Sequence, residues 1–240
     1  MKNQKTNRIL ALVLVLISVV TCFAGCGKKD RKMEKKGSVQ VPKTFEDKKM
    51  EPYIRLILSE NYTYETMPKI DSKETPVTYA KAGQKSMVTI RVQDMPITYM
   101  FVDGVYYIVM GQEYTQATPE QLQKLKIKEL ITTTSLDQFA QATFVKEGKT
   151  EIEGKEYVFE DYYNTLTQAT NRFFFDENDK LDLLARVNSE GEISSITPIK
   201  LYETNPATFE VLKTYKYVKQ DETPVETEEA PAEEKPEDKK

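Results

Sequence analysis

Two runs of strand-forming residues, Ile97-Thr98-Tyr99-Met100-Phe101-Val102 and Val105-Tyr106-Tyr107-Ile108-Val109-Met110, meet at Asp103-Gly104. A two-residue type I′ turn needs positive φ at both central positions, and Asp-Gly adopts it at little cost. The turn fixes the register of the hairpin, so this segment commits the chain to antiparallel pairing. Both runs are apolar on both faces, which predicts a central place in the sheet with cover on each side.

Further strands are predicted on either side. Upstream are Asn61-Tyr62-Thr63-Tyr64-Glu65-Thr66, Pro76-Val77-Thr78-Tyr79-Ala80 and the alternating Met87-Val88-Thr89-Ile90-Arg91-Val92. Downstream are residues 143–146, 156–163, 172–175, 181–187 and 193–202, separated by the turn signals Glu147-Gly148-Lys149, Glu153-Gly154-Lys155, Asp176-Glu177-Asn178-Asp179 and Glu190-Gly191. Met50, Tyr53, Ile54, Ile57 and Leu58 recur in steps of three and four, which predicts a helix before the first strand, with Pro52 in its first turn. Thr118-Pro119-Glu120-Gln121 reads as a capping box opening a second helix, and residues 135–142 as a third short one. Phe209, Leu212, Tyr215 and Tyr217 suggest a last short helix or strand. The expectation is an α+β domain over 44–219, of nine or ten strands in successive hairpins.

Several chemistries are excluded. Among 240 residues there is no His, and the two Cys, Cys22 and Cys26, stand near the N-terminus. That removes Ser-His-Asp and Cys-His nucleophiles, zinc fingers and a disulfide-stapled domain. There is no phosphate-cradling Gly-rich loop, and the net charge of -4 argues against nucleic acid. The turn at Asp176 lacks the Gly and distal Glu of a calcium loop. Glu160 and Asp161 adjoin on a predicted strand, so their carboxylates point to opposite faces. No catalytic residue, metal or cofactor is expected, and the chain is read as a non-enzyme.

The N-terminus is an address. Lys2, Lys5 and Arg8 precede an uncharged run, residues 9–27, whose core is Ile9-Leu10-Ala11-Leu12-Val13-Leu14-Val15-Leu16-Ile17. This is the basic and apolar pattern of an export signal. It ends in Phe23-Ala24-Gly25-Cys26, which resembles the lipobox of bacterial lipoproteins, with Phe23 where Leu is usual. The resemblance implies cleavage after residue 25 and a diacylglycerol, with or without an N-acyl chain, on Cys26. Cys22, behind Thr21, fits the cleavage site less well. An uncleaved membrane anchor is the competing reading, because roughly 20 apolar residues span a bilayer.

Residues 26–43 then form a basic tether, in which Lys28, Lys29, Arg31, Lys32, Lys35, Lys36 and Lys43 face only Asp30 and Glu34. Residues 220–240 form an acidic tail with nine acids, three lysines, Pro224, Pro231 and Pro236, and no aromatic residue. Such a composition buries too little apolar surface to fold on its own.

The lipobox at Cys26, the helix leading into Asn61-Tyr62-Thr63-Tyr64 and the two aromatic hairpins, Phe101 to Tyr107 and Arg172 to Leu181, resemble the LolA/LppX-like group of envelope lipoproteins and lipoprotein carriers. Small lipoproteins of Gram-positive bacteria resemble the chain equally. The resemblance implies a strongly curved antiparallel sheet, an open half-barrel, with helices on its concave face and room for acyl chains between them. By residue type, Tyr79, Tyr99, Phe101, Tyr107, Tyr157, Phe159 and Phe174 read either as the lining of an apolar cleft, with Met87, Met95, Met100 and Met110 as adaptable walls, or as ordinary core residues beneath the helices. The expected function is a lipid-anchored protein on the outer face of the cell membrane that binds a lipid or other apolar ligand. The alternative is an envelope interaction or scaffold protein without a small ligand.

Overall fold

The computed structural model describes residues 40–219, apart from 71, 72, 93, 94 and 189. The export signal, Cys26, nearly all of the tether and the acidic tail lie outside the described residues. Among the described residues no helix is long and apolar enough to cross a membrane.

Strands β1 (Asn61–Thr66), β2 (Lys69–Ile70), β3 (Lys73–Glu74), β4 (Val77–Ala82), β5 (Lys85–Val92), β6 (Met95–Val102), β7 (Val105–Met110) and β8 (Glu113–Gln116) are followed by helices and then by β9 (Thr143–Ile152), β10 (Lys155–Asn164), β11 (Ala169–Phe175), β12 (Leu181–Val187), β13 (Ile193–Glu203) and β14 (Lys216–Tyr217). Twelve of them form one open sheet in the order β14-β8-β7-β6-β5-β4-β1-β13-β12-β11-β10-β9, with β2 and β3 a separate small hairpin. Every pairing in the large sheet is antiparallel except β14 with β8. Two meanders, β4–β8 and β9–β13, are joined through β1, which pairs with both β4 and β13. The sheet does not close, so this is the α+β, open half-barrel arrangement expected from the sequence. The strands beyond the expected nine or ten are mostly too short to show periodicity.

The Asp103-Gly104 turn has φ of 51° and 84°, as type I′ requires, and Glu153-Gly154 repeats it at 53° and 81°. The β6–β7 hairpin is covered on both faces, but it lies third and fourth from an edge rather than at the centre. The cover is local: helices on one side, and on the other the C-terminal 3-10 turns Pro206–Phe209 and Val211–Lys213.

Glu147-Gly148-Lys149 is a correction, since it lies inside β9 and makes no turn. Gly148 stands directly opposite Phe159, and a Cβ there would fall 2.8 Å from the ring. The glycine is required by the close approach of an aromatic ring across an edge strand.

Helices α1 (Glu51–Leu58), α2 (Pro119–Lys124) and α3 (Ile127–Thr134) pack on one face. α1 covers the expected apolar stripe, and Asp47 at φ 62° separates it from the 3-10 turn Lys43–Phe45. The capping box forms as expected: Gln121 N–H donates to Thr118 Oγ1 at 3.2 Å and Thr118 N–H to Gln121 Oε1 at 2.9 Å. Lys126 at φ 48° then divides that helix into α2 and α3. Residues 135–142 hold a 3-10 turn, Asp137–Gln141.

Candidate functional site

The layer between helices and sheet is solid. Tyr62, Tyr79, Tyr99, Tyr162, Phe45, Phe139, Phe173 and Phe175 are among its fully buried side chains, interleaved with Met50, Ile54 and Ile57. Ring pairs run through it: Phe45 stacks on Tyr162 at 4.7 Å between centroids, and Phe139 meets Phe173 edge-on at 5.3 Å. Burying each such ring contributes roughly 1.5–3 kcal/mol, and a favourable pair about 0.5–1.5 more.

The phenol oxygens of Tyr62, Tyr64 and Tyr162 are bonded within this layer. Tyr62 donates to Asp137 Oδ1, lies 3.0 Å from Ser135 Oγ and accepts from Leu136 N–H at 2.9 Å. Tyr64 donates to the Thr134 carbonyl at 2.6 Å. Lys81, on the neighbouring strand, pairs with both Asp137 and Glu60. These bonds clamp the segment after α3 to β1 and β4. Burial raises the pKa of Tyr62, Tyr64 and Tyr79, and pushes that of Tyr99 up to about 12. Tyr162 is raised too, by burial and then by the Glu160 charge.

The sign of the pH effect follows. Phenols of the unfolded chain ionise near ~10. Between that value and about 12 the native chain keeps a proton on Tyr99 that the unfolded chain gives up. Stability is therefore full below the unfolded value and falls as pH climbs through the native one. Phenolate absorbance during alkaline titration measures this. Tyr62, Tyr64, Tyr79, Tyr99 and Tyr162 should ionise late, together with loss of native circular dichroism.

The seven residues expected to line one cleft fall into three groups. Tyr79, Tyr99 and the half-buried Phe101 belong to the helix-side layer. Tyr107 lies on the opposite face, beneath the C-terminal 3-10 turns, with Ala80, Met100, Val109 and Phe209. Tyr157, Phe159 and Phe174 form a third cluster with Ala185 on that same outer face, over β10–β12. Residue types suited to a cleft are also those that fill a two-sided sheet, and alternation along each strand sends neighbours to opposite faces.

Of the methionines, Met87 and Met100 do line a hollow, but on the outer face. It is a groove of about 280 Å³ between β5–β7 and the C-terminal turns, with Pro96, Val109, Val211 and Tyr215 among its walls. Met95 and Met110 are half exposed.

Glu160 and Asp161 diverge as expected, and each has a buried partner that sequence reasoning missed. Glu160 faces the helices and is 2% exposed. Its carboxylate accepts Lys49 N–H at 2.8 Å, Met50 N–H at 3.0 Å and the Tyr162 hydroxyl at 2.8 Å. It thus caps the start of α1 from across the sheet. Asp161 faces outward and takes Arg172 in a two-pronged pair, Nε at 2.7 Å and Nη2 at 2.8 Å, while the guanidinium lies 3.9 Å above the Phe159 ring. The available signal was two acids and an arginine inside otherwise apolar strands. The Asp176 segment is a hairpin turn: Asp176 Oδ1 accepts Asn178 N–H and Lys180 N–H, each at 2.9 Å, and the Lys180 bond leads in lowering its pKa. Among the described residues no three Asp, Glu, His or Cys gather to hold a metal ion.

No family model and no curated protein matches the chain. Solved structures show a distant likeness. An uncharacterized conserved protein from Thermus thermophilus shares 9% identity at a TM-score of 0.37, over 70% of this chain and 96% of that one. The Pseudomonas aeruginosa MucA/MucB complex gives 10% identity and a TM-score of 0.28, over 67% of this chain and 59% of that one. A DUF1329 family protein from Desulfovibrio piger gives 7% identity and a TM-score of 0.27, over 69% and 98%. At such scores these likenesses assign the chain neither a ligand nor a partner.

Proposed function

We propose that this chain is a lipid-anchored, extracytoplasmic protein of the cell envelope that acts through its surface, as an interaction or scaffold domain. The anchoring rests on the export signal and the lipobox at Cys26. One structural observation favours a surface role over an enclosed ligand: the helix-to-sheet layer, where an acyl chain would have to lie, is filled by buried aromatic side chains, with the hydroxyls of Tyr62, Tyr64 and Tyr162 bonded within it. Opening it would separate the very residues that hold α1 and the segment after α3 to the sheet.

A second reading has its own observation. The outer-face groove beside Met87 and Met100 offers an apolar ligand about 280 Å³ of space without parting helices from sheet. Native mass spectrometry of the full chain, with an organic extract of the same sample, separates the two. The surface reading predicts the mass of the acylated chain alone and no further stoichiometric lipid. A second lipid bound one to one would overturn it. Loss of that lipid on Met100→Glu would then place the ligand in the outer groove.

A further inference from the structure

We infer that β9 is a self-association edge, through which two copies of the chain join their sheets antiparallel about Gly148. β9 ends the twelve-stranded sheet and has no second strand partner among the described residues. The directions of its backbone groups follow from the hairpin to β10. Ile152 and Lys155 flank the two-residue Glu153-Gly154 turn, so they exchange both hydrogen bonds, and bonded pairs then alternate along the ladder. Ile152, Thr150, Gly148 and Lys146 accordingly bond β10. Glu151, Lys149 and Glu147 turn their N–H and C=O groups to the open edge. The ladder to β10 shifts register past Lys146, skipping Val145, and Phe144 N–H beyond the shift is taken by Thr44 Oγ1 at 2.6 Å, so the regular open stretch begins at Glu147.

An edge of this kind pairs with any strand that matches it, and the charges on β9 match a second β9. With the twofold axis at Gly148, Glu147 of each copy faces Lys149 of the other as a bonded pair, about 5.5 Å apart at Cα, on the helix side of the sheet. Both side chains are exposed, at 58% and 69%, and each also meets an opposite charge of its own chain, Glu147 with Lys48 and Lys149 with Glu156. Centring on Glu147 or on Lys149 would oppose like charges. Centring on Thr150 would oppose Lys149 with Glu151, but would also set Glu147 against Glu153. On the other face the Gly148 register brings the two glycines together, and each carries a Phe159 ring lying across it. Those rings flank the axis and extend the outer aromatic cluster from one copy to the next. The interface is isologous, so each substitution acts twice.

Sedimentation equilibrium of the full chain in nonionic detergent tests this, using wild type, Glu147→Lys, Lys149→Glu and the double exchange. Wild type should be dimeric at tens of micromolar. Either single exchange creates two like-charge pairs and should weaken the dimer about tenfold or more. The double exchange restores unlike pairs and should return the dissociation constant to within about threefold of wild type, which excludes misfolding as the cause. A wild-type monomer across that range, or a dimer indifferent to both single exchanges, overturns the proposal. A dimer broken by Lys149→Glu but not by Glu147→Lys overturns the Gly148 register.

Discussion

Arg172→Ala is expected to lower unfolding free energy by about 3–5 kcal/mol, because it strands a buried carboxylate. Asp161 is 1% exposed, and its other cationic neighbour, Lys146 Nζ, is 3.9 Å away and largely in solvent. The substitution also removes the guanidinium from above Phe159, uncovering an aromatic cluster that no helix shields. Removing both charges together should be far milder. Asp161→Leu with Arg172→Met fills similar volume and leaves nothing to desolvate, so the double variant should lie within ~1–2 kcal/mol of wild type. Urea denaturation of the three proteins measures this. A double variant as unstable as Arg172→Ala would show that the pair contributes through its geometry, and not merely by neutralising itself.

Glu160→Ala should cost about 3 kcal/mol or more, since three hydrogen bonds to one charged group are lost inside the molecule. Two of the donors are the Lys49 and Met50 amides at the start of α1, and a hydroxyl donor, Tyr162, also loses its acceptor. Glu160→Gln keeps one acceptor oxygen and should cost roughly half as much. The effect should be local as well as global. Hydrogen exchange at Lys49 and Met50 should accelerate by a larger factor than at Val88 or Tyr99 on the far meander. Uniform acceleration would mean that Glu160 stabilises the domain without holding α1 in particular.

Much of the fold was legible because its signals are local. Asp103-Gly104 needs positive φ and obtains it, Thr118 and Gln121 close a capping box, and the alternation of Val88, Ile90 and Val92 places them in the core. The signals that failed depend on contacts far along the chain. Gly148 reads as a turn residue until Phe159, eleven positions later, is known to lie across it. Glu160 and Asp161 read only as diverging acids, with no partner in view, until Lys49, Met50 and Arg172 arrive from other elements. The candidate cleft was the least legible. Tyr79, Tyr107 and Phe174 share a composition, but register assigns them to different faces or to separate clusters of the sheet. Composition cannot tell a filled aromatic layer from a lined cavity. The close packing of Phe45, Tyr162 and Phe173 can.

The proposed role requires a folded sheet domain carried outside the membrane on an acylated Cys26. Metabolic labelling with palmitate, followed by separation of membrane and soluble fractions, tests it for wild type and Cys26→Ser. Wild type should carry label, run as a chain shortened by the first 25 residues and sediment with membranes, while Cys26→Ser should carry none. Equal label in both proteins, or an unlabelled full-length wild type in the cytosol, would contradict it.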